Sequence, residues 1–120
     1  MKYLCLVHFD ESLLDALPAT ELRALVDESN SYDELLKQRG QLVVAHALQP
    51  VKNARVVQLR HGRQSHTDGP FVEAREQLGG FLLIEAQDLN AAIQIAAQIP
   101  MARYGSIELR PIAKVERSAS

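Results

Sequence analysis

Three strand-length segments of this chain are apolar on both of their faces, and that constrains the fold more than any other feature. Leu4-Cys5-Leu6-Val7, Leu42-Val43-Val44-Ala45 and Phe81-Leu82-Leu83-Ile84 run apolar through consecutive positions. Side chains alternate sides along a strand, so a strand with one wet face alternates apolar and polar residues. These segments do not alternate, and both faces of the sheet they build have to be covered.

The segments between them say what covers one face. Residues 2–9 read as a strand rich in β-formers, and 10–19 as a loop or short turn of helix broken by Pro18. From Thr20, Leu22, Leu25, Val26, Tyr32, Leu35 and Leu36 form a helical stripe. Glu21 stands at its start, Lys37 and Arg39 at its end, and Gly40 as the stop. Residues 41–48 read as a second strand and 54–60 as a third. A turn at 61–63 follows, and 64–68 reads as the returning arm of a hairpin. The stretch 69–79 reads as a loop with one helical turn, and 80–86 as a strand. Asp88 caps a helix with Leu89, Ala92, Ile93, Ala96 and Ile99 on one face, closed by Pro100. Residues 106–112 read as the last strand, and 113–120 as a frayed tail. Without the 54–79 insert the order is β-α-β-β-α-β, the ferredoxin-like split βαβ pattern. Right-handed crossovers put both helices on one face of a four-stranded antiparallel sheet. The expectation is one α+β domain over 1–120 whose other sheet face meets a second copy, since two-fold homodimers are the commonest oligomers. The competing expectation, that 54–79 folds back over the sheet, is weaker because so polar an insert covers little apolar surface.

Composition narrows the function. With 13 basic and 15 acidic residues the net charge is −2, which offers nothing to a nucleic-acid backbone. The strands also lack the surface aromatics that RNA-binding sheets use for stacking. Cys5 is the single cysteine, so no intrachain disulfide or thiolate cluster forms. The first apolar run is too short for a signal peptide or a membrane span, and the expectation is a soluble cytoplasmic protein.

Few polar residues interrupt the strands. His46 is placed on the same side as Leu42, Val44 and Leu48, either as a hydrogen-bonded core histidine or as a cavity group. Glu108 and Arg110 share a side of the last strand, and are expected to pair with each other at an edge or interface, or else to line a polar cavity. The four histidines show no metal-ligand spacing, so no metal and no organic cofactor is expected. Gly79-Gly80 is not a phosphate loop, no GxSxG occurs, and Cys5 has no activating base in view.

The run Asp68-Gly69-Pro70-Phe71-Val72-Glu73-Ala74-Arg75-Glu76-Gln77-Leu78-Gly79-Gly80-Phe81 resembles the signature of the DGPF-type branch of the YCII-related proteins. Ile107-Glu108-Leu109-Arg110-Pro111 is similar to that branch's closing strand, Arg60 stands where its hairpin has an arginine, and Pro100 where its second helix ends. The resemblance implies a ferredoxin-like domain assembled as a dimeric α+β barrel, a fold like that of muconolactone isomerases and small cofactor-free monooxygenases. Some YCII-type relatives pair a His with an Asp in a pocket. No His occurs between residues 19 and 39, so that dyad does not carry over. Some DGPF-type proteins resemble partners encoded beside sigma factors, which implies a regulatory alternative.

Read on its own chemistry, Gly69-Pro70 frees and then stiffens the chain after Asp68, holding one carboxylate and the Phe71 ring at the exit of a hairpin. Asp68 is either a structural carboxylate accepting turn N–H bonds, or an acid/base group at a pocket mouth. In the catalytic reading, Asp68 and His46 do proton-transfer chemistry on an enolisable or aromatic small molecule. Arg60 or Arg110 steadies developing negative charge, and Phe71, Glu73, Arg75, Glu76 and Glu108 complete the binding site. Asp68 is then expected at a pocket wall with Phe71 and at least one of Arg60, Arg110 and His46. The alternative is a ligand-binding or regulatory dimer without turnover, favoured by an open, solvated Asp68.

Overall fold

In the computed structural model, which describes residues 1–114, the chain runs through six strands and three α-helices. They are β1 (Lys2–Phe9), α1 (Glu11–Asp15), α2 (Ala19–Gln38), β2 (Leu42–Ala47), β3 (Arg55–Arg60), β4 (Arg63–Asp68), β5 (Gln77–Glu85), α3 (Leu89–Ala97) and β6 (Ser106–Pro111). Four strands form one antiparallel sheet in the order β2-β5-β1-β6, and β3-β4 form a separate hairpin. The order and the mixed α+β content are consistent with the ferredoxin-like expectation. The tail expected to fray lies, from residue 115 on, outside the described residues.

Both longer connections are set by local chemistry. Asp10 caps α1, its carboxylate accepting from the Ser12 backbone N–H at 3.0 Å and from the Ser12 hydroxyl at 2.6 Å. Those bonds hold its carboxyl below the ordinary carboxylate range. Asp88 caps α3 through the Ala91 N–H at 2.8 Å. The stretch 69–79 holds no helical turn. It stays irregular to Glu76, where Gln77 Nε2 donates to the Val72 and Ala74 carbonyls at 2.8 and 2.9 Å and starts β5 three residues earlier than the sequence suggests.

Tyr3, Cys5 and Val7 of β1 and Leu82 and Ile84 of β5 form the helix-facing side of the sheet, under Leu25 and Leu36 of α2 and Ala92, Ile95 and Ala96 of α3. The α2 stripe is half used, with Leu22, Val26 and Leu35 exposed, and α3 buries Ile95 where Ile93 was expected. The Tyr32 hydroxyl donates to the Ile95 carbonyl at 2.6 Å, and Arg103 pairs with Glu28 at 2.9 Å, fastening α2 to the second half of the chain.

The opposite side of the sheet carries Leu4, Leu6, His8, Val44, His46, Leu78, Phe81 and Leu83. Among the described residues no helix covers it, and the structure is only 19 Å through its thinnest axis. The sequence reading placed Leu42 on this side. A register shift between Leu42 and Val44 turns Leu42 toward the core opposite Ile84, while Val44 and His46 keep the open side. One inserted residue reverses every side chain beyond it.

Candidate functional site

The open side ends in a groove of about 700 Å³ between the sheet, the 48–54 connection and the 70–78 segment. His8, Gln77 and Leu78 line it from the sheet, Leu48, Pro50 and Val51 from the connection, and Pro70, Phe71, Val72 and Glu76 from the segment after the hairpin. A size of this order suits a small organic ligand.

His8 faces the open side by its alternation with Leu4 and Leu6, and a bulge in the neighbouring β5 lies beside it. Val7 pairs with Gly80 and His8 with Leu78, so Gly79 is the extra residue in β5. A side chain there would meet the Phe9 ring, which would have to swing aside. His8 Nε2 stands 3.2 Å from Glu108 Oε1 across the β1-β6 ladder. A carboxylate only accepts, so the hydrogen belongs on Nε2, and in the neutral ring the lone pair is left on Nδ1. Beside this pair the Ser106 hydroxyl, opposite His8 in register, donates to Glu76 Oε1 at 2.7 Å. Four polar side chains from two strands and one loop thus gather at one end of the open sheet face.

The residues singled out in the sequence are dispersed around this arrangement. Phe71 and Glu76 line the groove. Glu108 bonds His8, and among the described residues it forms no ion pair with Arg110, its neighbour on the same strand face. His46 is exposed on the open side, its ring 5.9 Å edge-on from Phe81. Arg60 lies at the hairpin tip and donates to its own Leu59 carbonyl at 3.1 Å, while Glu73 and Arg75 are exposed. Asp68 stands at the hairpin base, 77% exposed, with Arg55 Nε 3.0 Å from its Oδ1, and it does not line the groove. His8, Ser106 and Arg55 are not among the site residues expected from the sequence. His8 falls in the same alternation as Leu4 and Leu6, which was the available signal. Arg55 follows from hairpin arithmetic, because a two-residue turn at His61-Gly62 pairs Arg60 with Arg63 and therefore Arg55 with Asp68.

A second groove of about 430 Å³ opens under α2, between Leu22, Leu25 and Val26 and the sheet. Asp33 sits on its wall, its carboxyl raised by desolvation. Burial likewise pushes the Cys5 thiol up to about 11, which leaves it protonated and unreactive. Among the described residues, no group of three or more His, Cys, Asp and Glu is placed to hold a metal ion, and no helix is long and apolar enough to cross a membrane.

The YCII-related domain matches residues 1–116. An uncharacterized protein of Rhizobium meliloti is 31% identical over 115 residues, which cover 94% of this chain and 93% of that protein. The chain belongs to the YCII-related domain family.

Proposed function

We propose that this is a DGPF-type member of the family and a small-molecule enzyme doing proton-transfer chemistry in the groove beside His8, as a homodimer joined through the open sheet faces. The observation that carries the reading is the His8–Glu108 pair, 3.2 Å apart, with His8 on the wall of a groove of about 700 Å³. Glu108 orients the ring and fixes its tautomer, and Nδ1 takes a proton from a carbon next to a carbonyl. Phe71 covers the apolar part of the substrate, and Glu76 with Ser106 binds a donor on it. Arg110 lies further along β6, opposite Leu4 and outside the groove, so the imidazolium formed at His8 itself faces the enolate charge. Asp68, His46, Arg60, Glu73 and Arg75 stand outside the groove within one chain, and in this reading they contribute as rim groups facing the second copy. No step calls for a metal or organic cofactor.

Surface area supports the dimer. The chain exposes 8855 Å², whereas a compact protein of 13.3 kDa exposes about 6,500 Å². The surplus exceeds the roughly 800 Å² per partner that a stable interface buries.

The test is deuterium uptake from D₂O into a panel of enolisable ketones and lactones. Wild type is expected to accelerate uptake for at least one compound, and His8→Asn to lose that rate by about 10²-fold or more with little change in melting temperature. Equal rates in wild type and His8→Asn refute the assignment.

The solvated Asp68 favours a second reading, a ligand-binding or regulatory dimer without turnover, of the kind encoded beside sigma factors. Here the Asp68–Arg55 pair shapes the hairpin base. Ligands that bind wild type and His8→Asn alike, with no deuterium uptake in either, support this alternative.

A further inference from the structure

We propose that the β3-β4 hairpin is an exchange arm whose Val57–Leu59 stripe packs on the body of a second copy of this chain. The inference rests on the homodimer reading above and adds to the sheet-face contact a second, arm-mediated one.

The hairpin is well made and unsupported. Its turn has positive φ at both central residues, His61 at 52° and Gly62 at 74°, the signature of a two-residue type I′ connection that matches strand twist. Its base is closed by the Gly69 N–H to the Ala54 carbonyl at 2.8 Å and by the Arg55–Asp68 pair. Beyond that base its strands pack chiefly on each other, with no more than marginal contact to the four-stranded sheet. The radius of gyration is 16.7 Å, against about 14 Å for a compact domain of this length. A lone two-stranded hairpin is marginal in water, so one this regular needs a surface to lie on.

What the arm presents defines that surface. Val57 and Leu59 share one face and are 65% and 66% exposed, two large aliphatic side chains with nothing over them. The arm is also basic. Lys52, Arg55, Arg60 and Arg63 against Asp68 give residues 52–68 a net charge of +3, and since the whole chain carries −2, the remainder carries −5. Among the described residues neither Arg60 nor Arg63 meets a carboxylate within the chain. A basic arm with an apolar stripe, on an acidic body that has an uncovered apolar sheet face, is complementary to a copy of itself.

The experiment follows amide hydrogen exchange of residues 56–59 and 64–67 in the intact protein as it is diluted. Sedimentation velocity is run beside it on wild type, a Val57→Glu/Leu59→Glu variant, an Arg60→Glu/Arg63→Glu variant and Val44→Asp. Arm amides are expected to slow by about tenfold or more as the dimer forms, and both arm variants to weaken dimerisation by about tenfold or more. If wild type dimerises and Val44→Asp dissociates it, yet the arm amides exchange alike in monomer and dimer and both arm variants dimerise normally, the arm inference fails and the sheet-face dimer stands. A wild type that stays monomeric at every concentration overturns both.

Discussion

Replacing Gly105 with alanine should destabilise the protein by driving a Cβ into the His8 backbone beside the site. Gly105 directly precedes β6, and a Cβ there would collide with the His8 carbonyl oxygen and come within 3.0 Å of Phe9 Cβ and 3.1 Å of the His8 carbonyl carbon. A carbonyl in a ladder cannot rotate aside, so the start of β6 must draw away from β1. That opens the His8–Ser106 rung and pulls on the His8–Glu108 and Ser106–Glu76 bonds. Losing one or two net hydrogen bonds at about 1 kcal/mol each, with overpacking strain of about 1–3 kcal/mol, is offset in part by roughly 0.5 kcal/mol from a stiffer unfolded chain. The expected loss is about 2–4 kcal/mol. Gly79→Ala is the internal control. Its Cβ would strike the Phe9 ring, and a half-buried ring can swing away, so its cost should be about 1 kcal/mol. Urea unfolding at one fixed protein concentration measures both. Gly105→Ala within 0.5 kcal/mol of wild type, on the roughly 1 kcal/mol scale of one such bond, or milder than Gly79→Ala, would refute the reasoning.

Three further outcomes are expected. Val44→Asp puts a carboxylate on the open face, on the edge strand β2 opposite Leu83, and should yield monomeric or insoluble protein by light scattering; an unchanged dimer contradicts the sheet-face interface. The Cys5 thiol is raised by burial to about 11 from an ordinary 9.0. The stabilisation this thiol carries is complete below pH 9 and is lost as the pH rises through about 11, because the unfolded chain ionises first. Native protein should resist a thiol-labelling reagent at pH 8 and label at once in urea, and rapid native labelling would contradict the burial. Asp33, whose carboxyl is raised by desolvation, favours folding only below the ordinary carboxylate range and costs stability above its own titration. Asp33→Asn should therefore raise the melting temperature at neutral pH and narrow the difference from acid pH, and a lower melting temperature at pH 7 would show that the carboxylate has a partner in solution.

The order of elements along the chain, the α3 cap at Asp88 and the hairpin are legible because each rests on local chemistry: runs of β-forming residues, a capping carboxylate, a Gly turn. Leu42 was misplaced because the register shift before Val44 leaves no local mark on so uniformly apolar a strand. The His8–Glu108 pair escaped notice for a related reason. The two residues lie 100 positions apart, and their meeting depends on the offset between β1 and β6, which the turns do not fix. Asp68 drew attention because its motif is distinctive, whereas the structure gives it a local partner in Arg55 and an open position. The start of β5 was set late because the Gln77 amide bonds that seed it are invisible in a polarity pattern.

The central claim is that the groove beside His8 is where a small molecule binds. Backbone and histidine-ring ¹H–¹⁵N spectra of the protein, recorded against a fragment library of enolisable ketones, lactones and aromatic acids, test it directly. The account predicts a free His8 ring protonated on Nε2, and shifts on binding that cluster at His8, Phe71, Glu76, Gln77 and Leu78 and vanish in His8→Ala. Fragments that instead gather under α2 at Leu22, Val26 and Asp33, or that leave the His8 ring unmoved, would contradict it.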